Sequence, residues 1–127
     1  MDKNIVEEYC FIIKEKISQQ RFDAALDSAM RLKKHFPQNE LGYYYCALCE
    51  FAKEDFEKSA KHYKEALNIN PAHANSYFNL GVCEYLDKKY DNALINIAKA
   101  LVIFTKTKEL DKKKKCLEAL KLIESER

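Results

Sequence analysis

Residues 77–100 read YFNLGVCEYLDKKYDNALINIAKA, and their apolar pattern is interrupted once, at Asp87-Lys88-Lys89. Before that break Tyr77, Leu80 and Gly81 fall at i, i+3 and i+4. After it Ala93, Leu94, Ile97, Ala100 and Leu101 do so again. That spacing belongs to two amphipathic helices, and a polar link this short joins antiparallel neighbours.

Sliding the chain against itself by 34 residues reproduces the unit upstream. Tyr9, Tyr43 and Tyr77 come into register, as do Phe22, Phe56 and Tyr90, then Asp23, Glu57 and Asp91, then Ala25, Ser59 and Ala93, then Leu32, Ala66 and Ala100. Pro37 and Pro71 close the first two units, with Thr105 in the third place. The units run over about 6–39, 40–73 and 74–107, with links expected at Gln19-Gln20-Arg21, Lys53-Glu54-Asp55 and Asp87-Lys88-Lys89. Because proline disfavours helical geometry in the residue before it, Phe36 and Asn70 are expected helix ends.

This pattern resembles the tetratricopeptide repeat, whose signature is an aromatic, Leu-Gly and an aromatic in the first helix, then Ala, an aromatic and Pro in the second. The third unit carries it most fully, with Tyr77, Leu80, Gly81, Tyr90, Ala93 and Ala100. In the second, Cys46 replaces Leu and Ser59 replaces Ala; in the first, Ile13 stands where Gly or Ala is expected and Ala29 where an aromatic is expected. Ile13 should therefore hold the first helix pair slightly apart. The resemblance implies an all-α protein, a right-handed α-solenoid of three helix-turn-helix repeats in a single domain over 1–127. A seventh helix, about 107–124, closes it, with Leu110, Cys116, Leu117, Ala119, Leu120 and Ile123 along one side and Thr107 as N-cap.

Composition agrees with an all-helical chain: 127 residues hold two Gly and two Pro, with 47% apolar and 33% charged residues. A net charge of +2 argues against nucleic acid. No apolar run reaches the length of a membrane span and the N-terminal stretch is too charged for a signal peptide, so a cytoplasmic location is expected. The run Lys112–Lys115, flanked by acids and without aromatics, reads as a solvated helix face.

Cys46 and Cys49 form a Cys-x-x-Cys pair that could be a redox dithiol, half a metal site or packing. Cys83 is the 34-residue counterpart of Cys49, and a small apolar side chain used twice at one register position points to packing. No second Cys-x-x-Cys and no His spacing completes a metal site, so no metal or other cofactor is expected. Nothing forms a nucleophile-base pair or a phosphate loop, and His62 reads as a surface residue, so no enzymatic activity and no catalytic residue are expected.

In the resembled family the first helices of successive repeats line a groove for partner peptides. Carried over, the lining comprises Phe11 and Lys14 from the first unit and Leu41, Tyr44, Tyr45, Leu48 and Phe51 from the second, with Tyr43 turned to the core. The third unit supplies Asn75, Phe78, Asn79, Val82 and Tyr85. Some of these rings could instead cover the links between helices. The basic clamp by which some members hold acidic heat-shock-protein tails is missing, because Cys10, Tyr45, Asn75 and Asn79 occupy its positions. The function implied is a non-enzymatic adaptor for an apolar or aromatic peptide segment of a protein partner. The alternative is a self-association or scaffold module, a homo-oligomer included. The three-repeat type III secretion chaperones are one adaptor class the chain resembles, although they usually have an extra N-terminal helix for which no segment is found.

Overall fold

A computed structural model describes residues 2–127, with side-chain surroundings from Asn4 onward. Among the described residues there are seven helices and no strand: α1 (Asp2–Ser18), α2 (Phe22–His35), α3 (Glu40–Ala52), α4 (Phe56–Ile69), α5 (Ala74–Leu86), α6 (Tyr90–Lys106) and α7 (Leu110–Glu126). The links within each repeat are the three polar triplets expected from the sequence, and Phe36 and Asn70 are the C-caps of α2 and α4. Thr107 is not the N-cap of α7. It is the C-cap of α6, and its hydroxyl donates to the Glu109 carboxylate at 2.6 Å, so α7 starts three residues later than expected.

Each link turns the chain the same way. Gln20, Glu54 and Lys88 have φ of 59°, 63° and 60°, and Lys108 between α6 and α7 has 59°. The amide after each one reaches back to the carbonyl five residues earlier, at 2.9 Å for Arg21 to Lys16, 2.8 Å for Asp55 to Glu50 and for Lys89 to Glu84, and 3.0 Å for Glu109 to Phe104. This is a helix stop with a left-handed residue, a position where glycine normally stands because it has no Cβ to clash. Lys88→Gly is therefore expected to stabilise the protein by about 0.5–1 kcal/mol, read as a higher urea midpoint at unchanged slope. A lower midpoint would mean that the turn is not left-handed in solution.

By its contacts the chain forms two compact units, Met1–Pro71 and Ala72–Arg127. In the first, α1 packs on α2 and α3, α2 on α3, and α3 on α4. Its core is Val6, Cys10, Ile13, Ala25, Ala29, Leu32, Tyr45, Cys46 and Cys49. In the second, α6 packs between α5 and α7 around Ala74, Ala93, Ile97, Ala100, Phe104, Cys116 and Ile123. Of the side expected to seat α7, Cys116 and Ile123 are buried and Ala119 and Leu120 pack against that core, whereas Leu110 and Leu117 are exposed. They lie on the far side of the helix from Ile123.

The departures of the first repeat have a simple packing account. Gly81 and Ile97, Ala47 and Tyr63, and Ile13 and Ala29 are the same pair of register positions in the three repeats, and all are buried. A small residue on the first helix goes with a large one on the second in the later repeats; in the first repeat the large residue has changed helix. A Cβ on Gly81 would sit 2.5 Å from Ile97 Cγ1, so there the two positions compete for one space.

A second register relation is polar. Lys16 Nζ lies 2.7 Å from Ser28 Oγ, Glu50 Oε1 is 2.6 Å from His62 Nδ1, and Asn96 Nδ2 donates to Glu84 Oε1 at 2.6 Å. These are one pair of positions used three times, tying the first helix of each repeat to the second. His62 is thus buried, not on the surface as its sequence context suggested. Its Nε2 faces Lys33 Nζ at 3.0 Å, and because an ammonium only donates, Nδ1 is the nitrogen that donates to Glu50.

Candidate peptide-binding faces

In the first unit the candidate residues divide by burial. Phe11 and Lys14 on α1 are exposed, and Phe11 keeps 67% of its surface accessible. Leu41, Tyr44 and Leu48 on α3 are half-buried, each with one flank against the unit's core. Tyr44 sits edge-on to Tyr45 at 5.2 Å between ring centroids and tilted against Tyr63 at 6.0 Å. These aromatic contacts hold its ring in place, so a partner would meet it pre-oriented.

Tyr45 belongs to the core and not to the open face. It is 6% exposed, and burial pushes its hydroxyl well above the usual tyrosine range. The physical reason is the turn of the helix: Tyr45 lies next to Cys46 and four residues before Cys49, which face inward, while Tyr43 has rotated to the rim. There Tyr43 donates its hydroxyl to the Pro37 carbonyl at 3.0 Å, and Lys33 Nζ stands 5.4 Å from its ring centre. Of the three tyrosines in a row, the first is half-buried at the rim, the second half-open and the third internal.

In the second unit Asn75, Phe78, Asn79 and Val82 of α5 are half-buried. Phe78 also packs against that unit's core. Tyr85 and its counterpart Phe51 have a different local role. Phe51 meets Phe56 at 5.1 Å and Tyr85 meets Tyr90 at 6.0 Å, so each ring closes over the link between the two helices of its own repeat. The Tyr85 hydroxyl also bonds to Glu126 in the last turn of α7.

Cys46, Cys49 and Cys83 are all buried, which is the packing role that their register implied. Burial, with Glu50 nearby, pushes the Cys46 thiol up to about 12 and the Cys49 thiol up to about 11, so neither supplies a thiolate near neutral pH. Ser59, where the motif has Ala, is accommodated because its hydroxyl donates to the Ala47 carbonyl at 2.7 Å.

The sequence profile of the TPR repeat matches residues 49–83. No curated protein sequence matches the chain. Among solved structures, the chain is similar to the type III secretion translocator chaperone SycD of Yersinia enterocolitica, with a TM-score of 0.91 at 10% identity, over 99% of this chain and 88% of that one. The fold is the tetratricopeptide-repeat solenoid. Two structures captured with partners are similar to the same degree. PcrH in complex with the chaperone binding region of PopD gives a TM-score of 0.90 at 10% identity, over 99% of this chain and 96% of that chain. The TPR2B domain of yeast Sti1 in complex with pHsp70 gives 0.89 at 16% identity, over 96% and 98% of the two chains. No helix among the described residues is long and apolar enough to cross a membrane.

Proposed function

We propose that this tetratricopeptide-repeat chain is a non-enzymatic adaptor of the cytoplasm that binds an apolar or aromatic peptide segment of a partner protein. The faces that carry it are those of the first helices, α1, α3 and α5. The observation behind the proposal is that aromatic and aliphatic surface stays accessible on these faces after each unit has packed: the open ring of Phe11, and the half-buried side chains of Tyr44, Leu48, Phe78 and Val82. Rings held in place are the side chains that dominate binding energy at interfaces, since little freedom is lost when a guest arrives. Asn75 and Asn79 add amides able to pair with the backbone of an extended guest. Structures of the same fold captured with peptides of PopD and of the translocator YopD, or with pHsp70, support this use of the fold. Lys14 is the one basic residue on the proposed surface, which favours an apolar guest over an acidic tail.

The test is a displayed library of random peptides, with selected binders measured by fluorescence anisotropy. Phe11→Ala is expected to weaken a binder held by the first unit more than tenfold, and Asn79→Ala one held by the second, with Phe11→Ala leaving the melting temperature unchanged because that ring is exposed. Affinity unmoved by both substitutions would take the binding surface off these faces.

A further inference from the structure

Two helix faces outside the peptide-binding surface match each other. On α1, Ile5, Glu8, Ile12 and Glu15 fall on one side of the helix, opposite the side that Val6, Cys10 and Ile13 bury. All four are exposed, with Ile5 at 43% and Ile12 at 44%. On α7, Leu110, Lys114, Leu117 and Lys121 fall on one side, opposite the side that Cys116 and Ile123 bury. These too are exposed, Leu110 at 71% and Leu117 at 42%. Each face alternates an aliphatic residue with a charged one, and the charges are opposite.

The spacings also agree. The aliphatic pair is seven residues apart on both helices, about 10.5 Å at the helical rise, and in parallel alignment each glutamate falls within about 1.5 Å, along the axis, of a lysine. Ile5 then meets Leu110, Glu8 meets Lys114, Ile12 meets Leu117 and Glu15 meets Lys121. The neighbouring charges do not oppose this. Lys16, at the margin of the α1 face, is turned to Ser28, and Glu124, beyond Lys121 on α7, is paired with Arg127. Glu118 lies at the rim of the α7 face.

We propose that the chain assembles with copies of itself, the Ile-Glu face of α1 in one copy docking on the Leu-Lys face of α7 in another. Neither face suits its own copy, because glutamate would meet glutamate or lysine would meet lysine. The contact therefore joins unlike surfaces of two copies. Aliphatic burial supplies the attraction and the charges set the pairing and its direction.

Sedimentation velocity of the full chain over rising concentration tests this. The mass is expected to climb above the 14.9 kDa of one copy. Glu8→Lys with Glu15→Lys, and separately Lys114→Glu with Lys121→Glu, should each stay monomeric while melting as the wild type does. An equimolar mixture of the two variants should regain assembly, since each then offers the charge the other lacks. A wild type that remains monomeric at every concentration, as it would if these faces served a different protein, overturns the proposal. So does assembly that persists in either variant alone, or a mixture that stays monomeric. None of the eight is among the residues named for the peptide, but Glu8 and Glu15 stand one turn from Phe11 on α1, so the Lys114 and Lys121 variant on α7 is the one whose failure leaves the peptide reading standing.

Discussion

Gly42→Ala is expected to destabilise the protein by about 2 kcal/mol, a loss measurable as a lower urea midpoint. Gly42 lies in the first turn of α3, where α3 passes close to α2. A Cβ there would sit 2.6 Å from the backbone nitrogen of Lys33 and 2.7 Å from its Cα. Those atoms belong to the axis of α2 and cannot yield without moving one helix against the other. Helix propensity alone predicts the opposite sign, since alanine gains about 0.8–1.0 kcal/mol over glycine in a helix interior. The direction of the effect therefore separates the two causes. Gly81→Ala should be destabilising too, because a Cβ there would sit 2.5 Å from Cγ1 of the fully buried Ile97. A Gly42→Ala protein as stable as the wild type would mean that α2 and α3 stand farther apart than described.

The buried pair of Glu50 and His62 supports the second large prediction. Leaving a buried acceptor without its donor costs about 1–3 kcal/mol, and more when the acceptor is charged, as the Glu50 carboxylate that His62 Nδ1 serves is. His62→Ala is therefore expected to cost about 3 kcal/mol, with Lys33 close enough to limit the loss. The third repeat suggests the rescue. There the same two positions hold Glu84 and Asn96, and an amide suffices as donor. His62→Asn should recover most of the loss, and thermal melting of the two variants side by side checks it. If asparagine is as damaging as alanine, the three polar pairs are not equivalent.

The helices and their links were legible because the 34-residue register and the polar triplets depend on nearest neighbours along the chain. The buried state of Cys49 and Cys83 was legible for the same reason, as a position used twice, and that of Cys46 because it stands where the motif has Leu. What local pattern could not decide was the rotation of α3. Three consecutive tyrosines cover some 200° of a helix, so the residue that turns inward is set by the partners on α1 and α4, which put Tyr45 there and leave Tyr43 on the rim. His62 was misjudged because a histidine among charged residues looks solvent-facing until its counterparts are aligned. Lys16, Glu50 and Glu84 form one polar column and Ser28, His62 and Asn96 another, a signal present in the register but invisible in any one repeat. Thr107 was mistaken for a cap because threonine before a polar stretch fits an N-terminus, whereas the left-handed residue at Lys108 had to come first.

The exchange of bulk between Ile13 and Ala29 also bears on how such chains are recognised. A profile that scores alignment columns one at a time penalises both residues of the first repeat, although together they fill the space that Ala47 and Tyr63 fill in the second. For distant kin of this chain, scoring the summed volume of two coupled columns would recover repeats that single-column scoring discards.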